Sequence, residues 1–148
     1  MFVLVQTSNE SAASVQGLTF SDGDTVCQRI ARMVEQWASD ETLIGRRGYS
    51  SIGAVVSPRD LASTQKIRLL MPSCLFLVPG FGAQGRTADE VAQCFKPDGS
   101  GAMVTASRSV IYAYQSDSSQ TDSELSWRDR VEAGCRDFVQ AVRHSLDR

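Results

Sequence analysis

The hydrophobic and polar positions of this chain fall into short continuous apolar runs separated by longer stretches with helical spacing. Phe2-Val3-Leu4-Val5 is continuous and predicts a strand buried on both faces. Gln6-Thr7-Ser8-Asn9 follows as its polar end. Residues 10–23 are small and polar and read as a connection. Asp24 or Thr25 caps the next helix, in which Val26, Ile30, Met33 and Trp37 form an apolar, core-facing stripe. The loop Ser39 to Gly48 carries Arg46-Arg47, a solvated surface pair. Ser51 to Val56 is a second strand, with Gly53 and Ala54 small where helices press close.

Ser57-Pro58 then signals a helix start, with serine as N-cap and proline in the first turn. That helix runs through Leu61, Ile67 and Leu70 to Met71, and Pro72 ends it. Leu75 to Val78 is the third strand, stopped by Pro79, which has no N–H to donate. Thr87-Ala88-Asp89-Glu90 has the capping-box pattern, so a helix spans Thr87 to about Phe95. Pro97 to Gly101 is a turn, and Ala102 to Thr105 is the fourth strand. Val110 to Tyr114 reads as a short helix or turn on the rim, and Gln115 to Ser126 as a mobile polar connection. Trp127, Val131, Cys135, Phe138, Val142 and Leu146 mark the clearest amphipathic helix. His144 lies near its end, where a solvated histidine is expected.

Strand and helix thus alternate four times, and the polar candidates follow strands. This is the layout of a parallel α/β fold with its site at the C-terminal strand ends. A complete (β/α)₈ TIM barrel takes about 250 residues; these 148 hold about four βα units. The expected fold is therefore half a TIM barrel, one partial domain over 1–148. Beginning on a buried strand points to the second half.

Composition narrows the function. The net charge of −2 argues against a sequence-independent nucleic-acid binder. No apolar run approaches the ~20 residues that span a bilayer, and the apolar start is too short for a signal peptide. Cys27, Cys74, Cys94 and Cys135 contain no CxxC pair, and His144 is the single histidine, which argues against structural zinc. Buried free thiols in a reducing cytoplasm are the simplest account of the four cysteines.

The chemistry centres on Leu75 to Thr87, LFLVPGFGAQGRT. Gly80, Gly82 and Gly85 let backbone N–H groups approach a ligand, and Gln84 adds an amide donor. A strand, a glycine loop and a helix start suggest an anion site; a tight βα turn that binds nothing fits the same residues. Arg108 ends the next strand and can grip phosphate bidentately; a surface salt bridge is the other fate open to it. Phosphate in TIM barrels binds at the loops after strands 7 and 8, which matches GFGAQG and ASR as the last two strand ends.

The stretches FVLVQTSN at residues 2–9, GYSSIGAVV at 48–56, VPGFGAQG at 78–85, and Ser107-Arg108 with Tyr112-Ala113-Tyr114 resemble orotidine 5′-phosphate decarboxylase, in its longer bacterial subfamily. The likeness runs through the whole chain and corresponds to the C-terminal half, strands 5–8. It implies a homodimeric cytoplasmic barrel that converts orotidine 5′-phosphate to UMP and CO₂ in pyrimidine biosynthesis, without metal or organic cofactor. It implies phosphate contacts from Gln84 and Arg108, assisted by Gly82, Gly85 and Ser107. It further implies pyrimidine contacts from Ser8 and Pro79. The family protonates the carbanion left by CO₂ with a Lys/Asp network on early strands. Only Lys66 and Lys96 occur here, neither in a strand-end Asp-x-Lys setting. No catalytic residue is therefore assigned to this chain; it needs the N-terminal half, and alone it should be inactive. The alternatives are a non-catalytic phosphate-binding half-barrel module, or another phosphosugar barrel enzyme.

Overall fold

In the computed structural model, which describes residues 1–82, 85–115 and 126–147, four parallel strands form one sheet. They are β1 (Phe2–Gln6), β2 (Gly53–Val56), β3 (Phe76–Val78) and β4 (Ala102–Val104), in the order β1-β2-β3-β4. The helices are α1 (Ala12–Gln16), α2 (Val26–Ala38), α3 (Leu61–Leu70), α4 (Ala88–Ala92) and α5 (Trp127–Leu146). Parallel neighbours in sequence order need crossover connections, and helices supply them. The expected α/β alternation is present. The polar stretch 116–125, read as mobile, lies outside the described residues.

Register divides the sheet into two unlike faces. Val3, Ala54, Phe76 and Ala102 pair in one row, and Val78 pairs with Val104 on the same face. These side chains pack into the core, where Ala54, Phe76 and Val78 are fully buried. The intervening row is Leu4, Val55, Leu77 and Met103. Alternation turns this row away from the core, and Leu4 is 58 % exposed. The expectation that β1 is buried on both faces therefore fails. β1 is an edge strand, and its Phe2 and Leu4 side of the sheet is uncovered.

The helices correct the sequence reading in three further places. α2 is capped by Thr25 in a capping box with Gln28. Its buried face is Cys27, Ala31, Val34 and Ala38, while Met33 and Trp37 are nearly half exposed. The small alanines let the helix lie close to the sheet, which turns the bulky stripe outward. α3 is capped by Asp60, whose carboxylate accepts the Ser63 N–H at 2.8 Å, so Ser57 and Pro58 precede the helix. α1 occupies part of the segment read as connection; it is short and polar, below the length at which periodicity shows.

At the N-terminal ends of the strands, buried Arg68 ties α3 to the sheet. Its Nη1 donates to the Gly101 carbonyl at 3.1 Å, and its Nη2 to the carbonyls of Cys74 (3.0 Å) and Met71. The guanidinium lies 3.7 Å from the Phe76 ring centroid. Burial pulls the Arg68 pKa below its ordinary value. α5 presents Val131, Phe138, Val142 and Leu146 as half-buried positions, while Trp127 and Cys135 are exposed. Cys27, Cys74 and Cys94 are the buried thiols, so Cys135 departs from the expected pattern.

Candidate functional site

The polar candidates follow the C-terminal ends of the four strands, as parallel α/β folds require. After β1, Thr7 Oγ1 donates to Asn9 Oδ1 at 2.6 Å, and Asn9 Nδ2 donates to Ser11 Oγ at 2.8 Å. Gln16 of α1 holds the turn, accepting the Thr7 N–H at 3.2 Å. Asn9 is thereby folded into its own turn, and Ser8 is presented on an exposed position. Beneath it, Gln6 is buried and bonded to the Ser57 backbone after β2.

After β3, half-buried Pro79 leads into a loop that closes on itself. Gly82 N–H donates to the Arg86 carbonyl at 3.0 Å, Gly85 N–H to the Gly82 carbonyl at 2.9 Å, and Arg86 N–H to the Gly80 carbonyl at 3.3 Å. Gly82 has φ +66°, a left-handed conformation that a β-carbon disfavours. Gln84 and its neighbour at 83 lie outside the described residues.

α4 begins as the sequence predicts, with a Thr87–Glu90 capping box. This changes the anion reading. Thr87 Oγ1 accepts the Glu90 N–H, and Asp89 and Glu90 put two carboxylates into the first turn. The capping box takes up the Thr87 and Glu90 N–H groups, and the two carboxylates disfavour an anion at this helix start. Any anion site here must come from the glycine loop and the cations beside it. Glu90 also binds Arg86 Nη1 at 3.0 Å. Its pKa is held below the ordinary carboxylate range, first by the Thr87 N–H and then by Arg86.

After β4, the Ser107 carbonyl accepts N–H groups from Val110, Ile111 and Tyr112 at 3.3, 2.7 and 3.2 Å. That turn leaves Ser107 and Arg108 exposed. Among the described residues, Arg108 forms no salt bridge. The next residue joins the two loops: a methyl group on Gly82 would lie 3.4 Å from both Cβ and Oγ of Ser109. Gly82 and the Ser107-Arg108 turn are thus brought together, as the sequence predicts. Ser8 follows the opposite edge strand, two strand spacings from the Gly82 loop and three from the Arg108 turn, roughly 10 and 14 Å along the sheet.

Sequence reasoning passed over Arg86 and Ser109. Among the described residues, Ser57 Oγ, Arg68 Nε, Arg86 Nε and Ser109 Oγ are buried without a hydrogen-bond partner, and all but Arg68 follow the C-terminal end of a strand. Unpaired buried polar atoms are uncommon. Arg86 was readable as a cation directly after the glycine loop. Ser109 matters only through tertiary contact. Neither lysine reaches this end of the sheet as a strand-end residue. Lys66 lies on α3 and donates to Gln28 Oε1 at 3.2 Å, and Lys96 lies over the Tyr49 ring, 4.4 Å from its centroid. A hollow of about 290 Å³ between α3 and α4, lined in part by Arg59, Asp60, Asp89 and Glu90, includes none of the predicted site residues. Four strands cannot enclose a ligand at their rim. Among the described residues no cluster of three metal-ligating side chains occurs, and no helix is long and apolar enough to cross a membrane.

No family model matches the chain. Comparison with curated proteins gives orotidine 5′-phosphate decarboxylase of Rhodopirellula baltica, 37 % identical over 134 residues, covering 90 % of this chain and 43 % of that protein. The enzyme of the same name from Clostridium tetani is 34 % identical over 142 residues, 96 % of this chain and 48 % of that one. The chain is similar to about half of an orotidine 5′-phosphate decarboxylase. Among solved structures, Leishmania donovani OMP decarboxylase superposes with a TM-score of 0.71 at 21 % identity, over 99 % of this chain and 48 % of its own. That likeness shows the fold: the four βα units superpose on half of that chain. The chain spans about half the length of the curated decarboxylases it matches.

Proposed function

We propose that this chain is the C-terminal, ligand-holding half of an orotidine 5′-phosphate decarboxylase, strands 5–8 of its barrel. The observation that carries this reading is the junction of the Gly82 loop with the Ser107-Arg108 turn through Ser109. Arg108, exposed beside Ser109 and in no salt bridge among the described residues, would compensate a phosphate dianion by charge. In this assignment Arg108 and Gln84 hold the phosphate, with Gly82, Gly85 and Ser107 assisting. Pro79 lines the pyrimidine pocket, and Ser8 contacts the ring from the β1 side.

The proton needed after CO₂ leaves must come from elsewhere. Lys66 and Lys96 are the two lysines of the chain, and neither follows a strand. The complementary half would supply a strand-end lysine and its carboxylates. The uncovered row of Leu4, Val55, Leu77 and Met103 fits this, because an inward-facing row in a closed barrel is packed by side chains from the remaining strands. Binding energy from the unreactive phosphate would organise the reacting end. The assembled enzyme is expected to be cytoplasmic and homodimeric, and to need neither metal nor organic cofactor.

The test is turnover. The chain joined to or co-expressed with a complementary half should convert orotidine 5′-phosphate to UMP, and the isolated 148 residues should not. Turnover by the isolated chain would overturn the division of labour. UMP binding without turnover by the completed barrel would favour the non-catalytic phosphate-binding module.

A further inference from the structure

We propose that Gly134 and Phe138 of α5 are positioning residues for the phosphate site, holding the glycine loop and the Arg108 turn at a fixed separation. The proposal rests on the reading above. The two residues are one helical turn apart and lie on the same face. Each touches a different loop. Phe138 meets Phe81, between Gly80 and Gly82, edge to face with ring centroids 4.9 Å apart and planes at 61°. At Gly134 the helix approaches the turn after β4 until no side chain fits. A methyl group there would lie 2.8 Å from the Ser109 carbonyl oxygen and 3.0 Å from Ala113 Cβ.

Ser109 is therefore a spacer between two glycines. Its side chain lies against Gly82 and its carbonyl against Gly134. The glycine loop fixes its own shape through Gly82–Arg86 and Gly85–Gly82 bonds, and the Ser107 carbonyl fixes the turn. Neither set of bonds links one loop to the other. The separation of the Arg108 turn from the glycine loop is set by what stands between and behind them, which is Ser109 and the α5 face. α5 is in turn tied to α4, which follows the glycine loop: Ser145 Oγ donates to Asp89 Oδ1 at 2.7 Å. A β-carbon at 134 pushes Ser109, and with it Arg108, away from its seat. Loss of the Phe138 ring releases Phe81 and the loop it belongs to.

The experiment compares a substrate with and without phosphate in the completed barrel. Gly134→Ala and Phe138→Ala should lower kcat/KM for orotidine 5′-phosphate about ten- to a hundredfold, the range expected from a displacement on the order of 1 Å. Decarboxylation of orotidine, which lacks the phosphate, should be unchanged, and inhibition by inorganic phosphate should weaken in parallel. Phe138→Leu should restore most of the phosphate-dependent rate. Equal losses on both substrates mean general damage and overturn the proposal, as does no loss on either. If Gly134→Ala does not fold, the Phe138→Ala and Phe138→Leu pair reads the same ratio. A wild-type barrel that decarboxylates neither substrate removes the proposed activity instead. Inorganic-phosphate binding by the same variants then still decides whether α5 positions the loops.

Discussion

Gln6 and Ser57 bond to each other twice across the ends of β1 and β2. The Ser57 N–H donates to the Gln6 carbonyl at 2.8 Å, and Gln6 Nε2 donates to the Ser57 carbonyl at 2.9 Å. The side-chain bond lies where the β1–β2 register shifts, between Leu4 and Gln6. It fixes the point from which the Thr7-Ser8-Asn9 turn departs. Gln6→Leu keeps the volume and leaves the Ser57 carbonyl without that donor, so urea unfolding should show a loss of about 1–3 kcal/mol. UMP affinity should fall with it if Ser8 contacts the pyrimidine.

Arg108 supplies the charge of the proposed phosphate site. Arg108→Ala in the completed barrel should cost at least the ~1.5–3 kcal/mol of a hydrogen bond to a charged group. That corresponds to roughly ten- to a hundredfold or more in kcat/KM. Unchanged steady-state kinetics with orotidine 5′-phosphate would remove Arg108 from the site.

Arg68 serves the opposite end of the sheet. Replacing it with Met retains apolar bulk over Phe76 but leaves the carbonyls of Met71, Cys74 and Gly101 without their guanidinium donors. The expected loss of stability is at least about 3 kcal/mol, read by chemical denaturation. UMP binding by the molecules that remain folded should be unaltered.

The cysteines should differ sharply in reactivity. Burial raises the thiol pKa of Cys27 to about 11 and of Cys74 and Cys94 to about 12, whereas Cys135 is exposed. The thiolate is the reactive form. Native protein at pH 8 should take up one equivalent of a thiol reagent rapidly, at Cys135, and four after denaturation. Rapid uptake of more than one by the native protein would contradict the burial of the other three.

Acid should loosen the glycine loop through Glu90. Its folded pKa is depressed from an ordinary value of 4.5. The stabilisation is therefore present above that value and lost as pH falls through the lower folded one. Melting temperatures of wild type and Glu90→Gln should differ at pH 7 and converge in strong acid, below the folded pKa. A constant gap across that range would mean that the Thr87 and Arg86 contacts add nothing through charge.

The strands were legible because each is an apolar run bounded by turn residues, and the parallel order followed from the intervening helices. α2 shows where periodicity stops being enough. Val26, Ile30, Met33 and Trp37 do share a stripe, but Ala31 and Ala38 beside it allow the closer approach and take the core. Ser57-Pro58 has the chemistry of a helix start, yet Ser57 extends the β1–β2 pairing through Gln6, and Asp60 caps instead. At the site, Gly82 and Arg108 were readable from residue type and position after a strand. Ser109, Gly134 and Phe138 were not, since a serine, a mid-helix glycine and a core-spaced phenylalanine declare nothing until α5 folds back over the loops.

The carbonyl grip of Arg68 and the proposed ligand groups sit at opposite ends of the same short strands. Sequence changes beneath the sheet, around Tyr49, Arg68 and Lys96, can therefore raise or lower melting temperature without reshaping the rim. Changes at residues 80–86 and 107–109 can alter what is bound while leaving the base intact. A mutational scan of this chain should separate into two nearly independent maps, one of abundance and one of affinity, with α5 the element that appears on both.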